Sequence, residues 1–115
     1  MKKRVFSLAL LAVMVLSLTA QAATFALSGR PKLTISGTTA TCSATYESSN
    51  DDDQLKVILT LWCGESIVDS WSETDYGYVS ITETCTVVKG NTYDLVMMPV
   101  VNGVAQSTIT VSANS

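Results

Sequence analysis

Apolar and polar residues alternate along most of this chain. Ala40, Cys42, Ala44 and Tyr46 interleave with Thr41, Ser43 and Thr45, and Val57, Leu59 and Leu61 recur at the same period beyond a polar stretch. A period of two places successive side chains on opposite faces of an extended strand, so each run reads as a strand with one buried and one solvated face. Turn signals recur about every eight to twelve residues and no segment sustains a helical period, the layout of an antiparallel β-sandwich. Seven strands are predicted. They run from Lys32 to Ser36 (starting as early as Phe25), Ala40 to Tyr46, Leu55 to Trp62, Ser66 to Ser72, Tyr78 to Val88, Tyr93 to Val101 and Val104 to Ser112. Asn102-Gly103, before the last of them, is the strongest hairpin signal, because both central residues of a type I′ turn need positive φ.

The first 22 residues follow another pattern. A basic head, Met1-Lys2-Lys3-Arg4, precedes a run of fourteen mostly apolar residues from Val5 to Leu18, and Ala20 and Ala22 end it in an A-x-A arrangement. This is the three-part layout of a secretory signal peptide. The run is short of the roughly 20 residues that span a bilayer, so cleavage after Ala22 is expected, with no stable membrane insertion afterwards. The expected protein is extracellular, a single domain over residues 23–115. Of seven Lys and Arg, three lie in the head; four basic residues then face ten acidic ones, a net charge of −6. Such a surface repels phosphate backbones and anionic lipid, which excludes nucleic acid as a partner. The chain has no His, which removes Ser-His-Asp and Cys-His catalysis.

Val87-Val88-Lys89-Gly90-Asn91-Thr92-Tyr93-Asp94-Leu95-Val96 resembles the turn-and-strand segment of fibronectin type III and related immunoglobulin-like domains. There a Tyr three residues after the turn Gly forms the tyrosine corner. Lys89 stands where the family usually has Pro, and the second strand lacks the buried Trp. Thr41-Cys42-Ser43-Ala44, Leu61-Trp62-x-Gly64, Ser70-Trp71-Ser72 and Lys89-Gly90-x-Thr92-Tyr93 are similar to a family of small secreted proteins of Gram-positive gut bacteria, whose function is unassigned. The resemblance implies an all-β, seven-stranded immunoglobulin-like (fibronectin III-like) sandwich and an extracellular address, and it implies no activity.

Three cysteines in an exported chain leave one over. In an immunoglobulin-like order the second and fifth strands pair, and Cys42 and Cys85 both fall on core-facing positions, which favours a Cys42–Cys85 disulfide. Cys63 is then a free thiol. Connectivity is not readable from sequence, so Cys63 pairing with either of the others, or bridging a homodimer, stays open.

Two surfaces carry candidate chemistry. Asp51, Asp52 and Asp53 lie in one loop, and Asp75 falls in another at the same end of the sandwich. Carboxylates from separate loops supply the hard oxygen ligands that Ca²⁺ takes, while the bland alternative is a solvated polar loop. Ca²⁺ is the one cofactor the sequence suggests. On the sheet of the third, fourth, sixth and seventh strands, alternation turns Ile58, Trp62, Val96 and Met98 outward as an apolar patch, with Trp71, Tyr76 and Tyr78 beside it. Such patches mark interfaces, although one misplaced bulge would reverse the assignment.

The function these features favour is a secreted, non-catalytic binding or interaction module for an extracellular protein or a glycan. A self-assembling structural protein and a Ca²⁺-binding module are the alternatives. A carboxylate pair such as Asp53 with Asp75 supplies no recognisable enzyme motif.

Overall fold

The structure, a computed structural model, describes residues 27–115. The expected signal peptide, Met1 to Ala22, and the possible strand start at Phe25 lie outside the described residues. Eight strands follow in order: β1 (Leu27–Ser36), β2 (Thr39–Ser48), β3 (Gln54–Cys63), β4 (Ser66–Tyr76), β5 (Tyr78–Thr86), β6 (Thr92–Val101), β7 (Val104–Ala105) and β8 (Ile109–Asn114). They form two antiparallel sheets. One has the order β1-β2-β5; in the other, β4, β3 and β6 lie side by side, with both β7 and β8 on the far side of β6. This is the expected immunoglobulin-like sandwich, with the second and fifth strands paired and the fourth strand in the larger sheet.

Two differences from the sequence reading have local causes. The expected last strand is two: Val104 and Ala105 close the Asn102-Gly103 hairpin against Val101 and Val100, the ladder lapses over residues 106–108, and β8 resumes against Thr92–Met97. Gln106 N–H donates across the gap to the Pro99 carbonyl at 2.8 Å. β4 also runs four residues beyond its expected end, because Glu73, Thr74, Asp75 and Tyr76 continue to pair with Val57, Lys56, Leu55 and Gln54.

The core lies where alternation put it. Ala40, Cys42 and Ala44 from one sheet meet Leu55, Val57, Leu59, Leu61, Leu95 and Met97 from the other, and each is at most 2% exposed. Burying a Leu or Val fully contributes about 1.5–3 kcal/mol, so this layer is what joins the sheets. The sides close where β1 approaches β8 and β4 approaches β5. The tyrosine corner is present. The Tyr93 hydroxyl accepts from Val88 N–H at 2.8 Å and donates to the Val88 carbonyl at 3.2 Å, with the ring 2% exposed.

Candidate binding surface

With Val57, Leu59 and Leu61 fully buried, the intervening Ile58, Thr60 and Trp62 face away from the core. The register sets Ile58 opposite Met98, Thr60 opposite Val96 and Trp62 opposite Asp94. Ile58, Trp62, Val96 and Met98 therefore share the outer face of the larger sheet, as expected. Trp62, Ile58 and Met98 are half-buried. Val96 is only 8% exposed despite facing outward, since a short side chain between larger neighbours is overshadowed by them.

Two further residues belong to this face. Val100 pairs with Lys56, next along from Met98. Ile67, 58% exposed, pairs with Trp62 because the β3–β4 register shifts between Leu61 and Trp62. Without that bulge, alternation from Trp71 would turn Ile67 inward; the extra residue, Val68, reverses it. Hydroxyl side chains interleave with these residues: Thr60, between Ile58 and Trp62, shares a hydrogen bond with Ser70 at 3.0 Å, and Ser112 donates to Asp94 at 2.5 Å.

Trp71 does not belong to this face. It sits opposite Leu59, on the inward side of β4, and packs half-buried against the core. Tyr76 and Tyr78 are exposed, at 62% and 50%, but flank Gly77 at the junction between the sheets, at the end that carries the acidic loop.

That loop is a structural knot. Asp53 is 3% exposed. Its Oδ2 accepts from the Ser48 hydroxyl at 2.6 Å, and its Oδ1 accepts from the side-chain amides of Asn102 at 2.9 Å and Asn50 at 3.4 Å. Asp75 is in strand β4 rather than a loop, and its Oδ1 accepts from Tyr76 N–H at 2.8 Å. Asp51 and Asp52 point to solvent. The expected Ca²⁺ constellation is thus corrected: the most buried carboxylate is occupied by protein donors, and among the described residues no three acidic or Cys side chains converge as ion ligands do. The Asx and Ser hydrogen bonds in this segment are loop chemistry.

The expected disulfide is also corrected. Cys42, Cys63 and Cys85 are all free thiols. β2 and β5 do pair, but Cys85 faces Ala40 and Cys42 faces Glu83. The two cysteines are diagonal neighbours, a relationship of about 7–8 Å between Cα atoms, at or beyond the limit of disulfide geometry. Their thiols make a hydrogen bond instead. Burial, helped by the neighbouring Cys85 and Asp69, pushes Cys42 up to about 12. Cys85 is raised by burial and Asp69. Cys63 ends β3 and packs against the core edge.

No family model and no curated protein matches this chain. Among solved structures, the chain is similar to the sensor domain of the anti-sigma factor RsgI4 of Pseudobacteroides cellulosolvens, at 19% identity and a TM-score of 0.48, covering 79% of this chain and 95% of that one.

Proposed function

We propose that this chain is an exported, non-catalytic binding module that engages an extracellular protein through the outer face of its larger sheet. The observation that carries this reading is the row of Ile58, Trp62, Met98 and Ile67, which the β3–β4 and β3–β6 registers bring together on one face. Its composition is that of an interface: aromatic and aliphatic residues with Met, interleaved with hydroxyls. A tryptophan in such a patch carries a disproportionate share of binding energy. Export rests on the signal-peptide pattern of residues 1–22. Pairing of the edge strand β4 with β4 of a second copy is disfavoured, since it carries Asp69, Glu73 and Asp75 and no basic residue, a charge pattern that resists its own addition.

The test is photo-crosslinking. A photoreactive residue in place of Met98 should capture a discrete partner from the extracellular fraction, and Trp62→Ser in the same background should abolish capture. A photoreactive residue in place of Glu83, on the smaller sheet, should capture nothing. Equal capture from both positions, or capture indifferent to Trp62→Ser, sinks the reading. Size-exclusion chromatography with and without reductant separates self-assembly: a monomer in both conditions counts against it.

A further inference from the structure

The smaller sheet turns a chemically different face to solvent. Its outward positions on β2 and β5 pair hydroxyl with hydroxyl: Thr41 with Thr84, Ser43 with Thr82 and Thr45 with Ser80. On the other side of β2, two of these hydroxyls meet cations, Thr45 facing Arg30 and Ser43 facing Lys32. An open depression of about 310 Å³ lies over this spot, lined by these four residues with Pro31 and Ala44. Arg30 and Lys32 are exposed, and neither has a hydrogen bond or ion pair among the described residues. They are two of only four basic residues that stand against ten acidic ones over residues 23–115. In a chain so short of cations, two side by side and unpaired are a local positive spot on a negative molecule.

We propose that this depression is a subsite for an acidic sugar, a saccharide unit bearing a single carboxylate within an otherwise neutral oligosaccharide. The Arg30 guanidinium offers a carboxylate two parallel N–H donors, and Lys32 adds a second positive charge two residues along the strand. The hydroxyls of Ser43 and Thr45, continued across the sheet by Thr82 and Ser80, supply donors and acceptors at strand spacing, about 4.8 Å apart, where the sugar's own hydroxyls lie. The charge balance sets the class of ligand. Two cations accommodate one acidic group, while Glu47, opposite Ser28 and next outward along β2 from Thr45, and the net charge of −6 over residues 23–115 repel a polyanion. The site lies on the opposite sheet from the apolar row, so it stands or falls independently of the protein-binding reading.

Amide chemical shifts of the intact protein, titrated separately with 3′-sialyllactose, lactose, sodium sulfate and heparin, test this. Sialyllactose should perturb Arg30, Lys32, Ser43 and Thr45 with a dissociation constant of about 1–10 mM, as expected for a solvent-exposed charge pair. Lactose and sulfate should each bind at least about tenfold more weakly. The double variant Arg30→Gln, Lys32→Gln should lose the sialyllactose response with an unchanged melting temperature. Lactose binding as well as sialyllactose removes the carboxylate from the proposal, and sulfate binding as well reduces the site to a bare oxyanion spot. Heparin binding more tightly than sialyllactose contradicts the single-charge argument. Shifts confined to other residues, or none at all, overturn the site.

Discussion

The side-chain amide of Asn102 donates to Asp53 Oδ1 at 2.9 Å across a sequence separation of 49 residues. Asn102 also accepts from Gln54 N–H through its own Oδ1 at 2.8 Å. One hairpin residue thereby fastens the loop after β2 to the turn after β6. Asn102 has φ 51°, the left-handed conformation that Asn tolerates better than other residues with a side chain. Asp53→Ala leaves the Ser48 hydroxyl and the Asn102 amide without their buried acceptor. The expected loss is about 2–4 kcal/mol, read from urea denaturation. Asp53→Asn keeps an acceptor and should lose less. A Ca²⁺ titration followed by calorimetry should be flat; binding heat abolished by Asp52→Ala would mean that the loop opens to release Asp53.

Gly77 is where the chain passes from the larger sheet to the smaller one. Its N–H donates to the Asp53 carbonyl and its carbonyl accepts from Ser48 N–H, both at 2.9 Å. With φ at +76° and room for a Cβ only at 3.1 Å from Asp51 Cα and Oδ1, a side chain is resisted by backbone conformation and by contact alike. Gly77→Ala should cost about 1–3 kcal/mol. Thermal unfolding with the melting point unchanged would show that the junction relaxes freely.

Tyr93→Phe isolates the tyrosine corner. The substitution keeps the buried ring and removes a hydroxyl that both accepts from and donates to the Val88 backbone. The Val88 carbonyl keeps the Ser115 hydroxyl as a donor at 2.6 Å, but the partly buried Val88 N–H loses its acceptor, and about 1–3 kcal/mol should go. The midpoint in urea should fall with an unchanged denaturant slope, since the same surface is exposed on unfolding.

The two tryptophans should separate cleanly. Trp62 lies on the outer face of the larger sheet, whereas Trp71 packs against the core. Trp71→Ala should cost about 2–4 kcal/mol, somewhat less than a fully buried tryptophan. Trp62→Ser should change stability by less than about 1 kcal/mol and leave a fluorescence spectrum dominated by the less solvated indole. The reverse order would place Trp62 in the core and remove the apolar row.

How much of this was legible in the sequence depends on whether a feature follows from period two alone. The strands, the core side of Leu59 and Leu95 and the outward side of Ile58 and Met98 do follow, because alternation carries a face assignment along a strand without reference to any other. The tyrosine corner was legible because the Gly-x-x-Tyr spacing is local. Ile67 was not: its orientation is set by one extra residue in β4, and a bulge leaves no mark on composition. Trp71 was misplaced for the related reason that an aromatic in a polar strand reads as surface until its partner, Leu59, is known. The Cys42–Cys85 pairing was legible to the strand but not to the residue, since a shift of two positions along β5 separates directly opposed cysteines from diagonal ones. The acidic loop looked like a ligand set because sequence shows carboxylates but not which of them already hold donors.

Cys42 predicts an alkaline limit to stability. The thiol is fully buried, and burial pushes it up to about 12, against an ordinary value of 9.0. In the unfolded chain it regains that ordinary value, so the native state holds its proton more tightly. The resulting stability is fully present below about pH 9 and drains away as pH rises towards about 12, where the folded thiol also ionises. Cys85 and Tyr46, both raised chiefly by burial, act in the same direction. The unfolding free energy from urea denaturation should therefore be level from pH 7 to about 8.5 and fall steadily above about 9, by a few kcal/mol in total. Cys42→Ala lowers the starting stability through the cavity it leaves, yet should flatten the slope above pH 9. Iodoacetamide at pH 8 should label Cys42 last of the three cysteines, because its thiolate is scarce and shielded. A midpoint constant to pH 11, or a slope unaffected by Cys42→Ala, would mean that this thiol meets water in the native state.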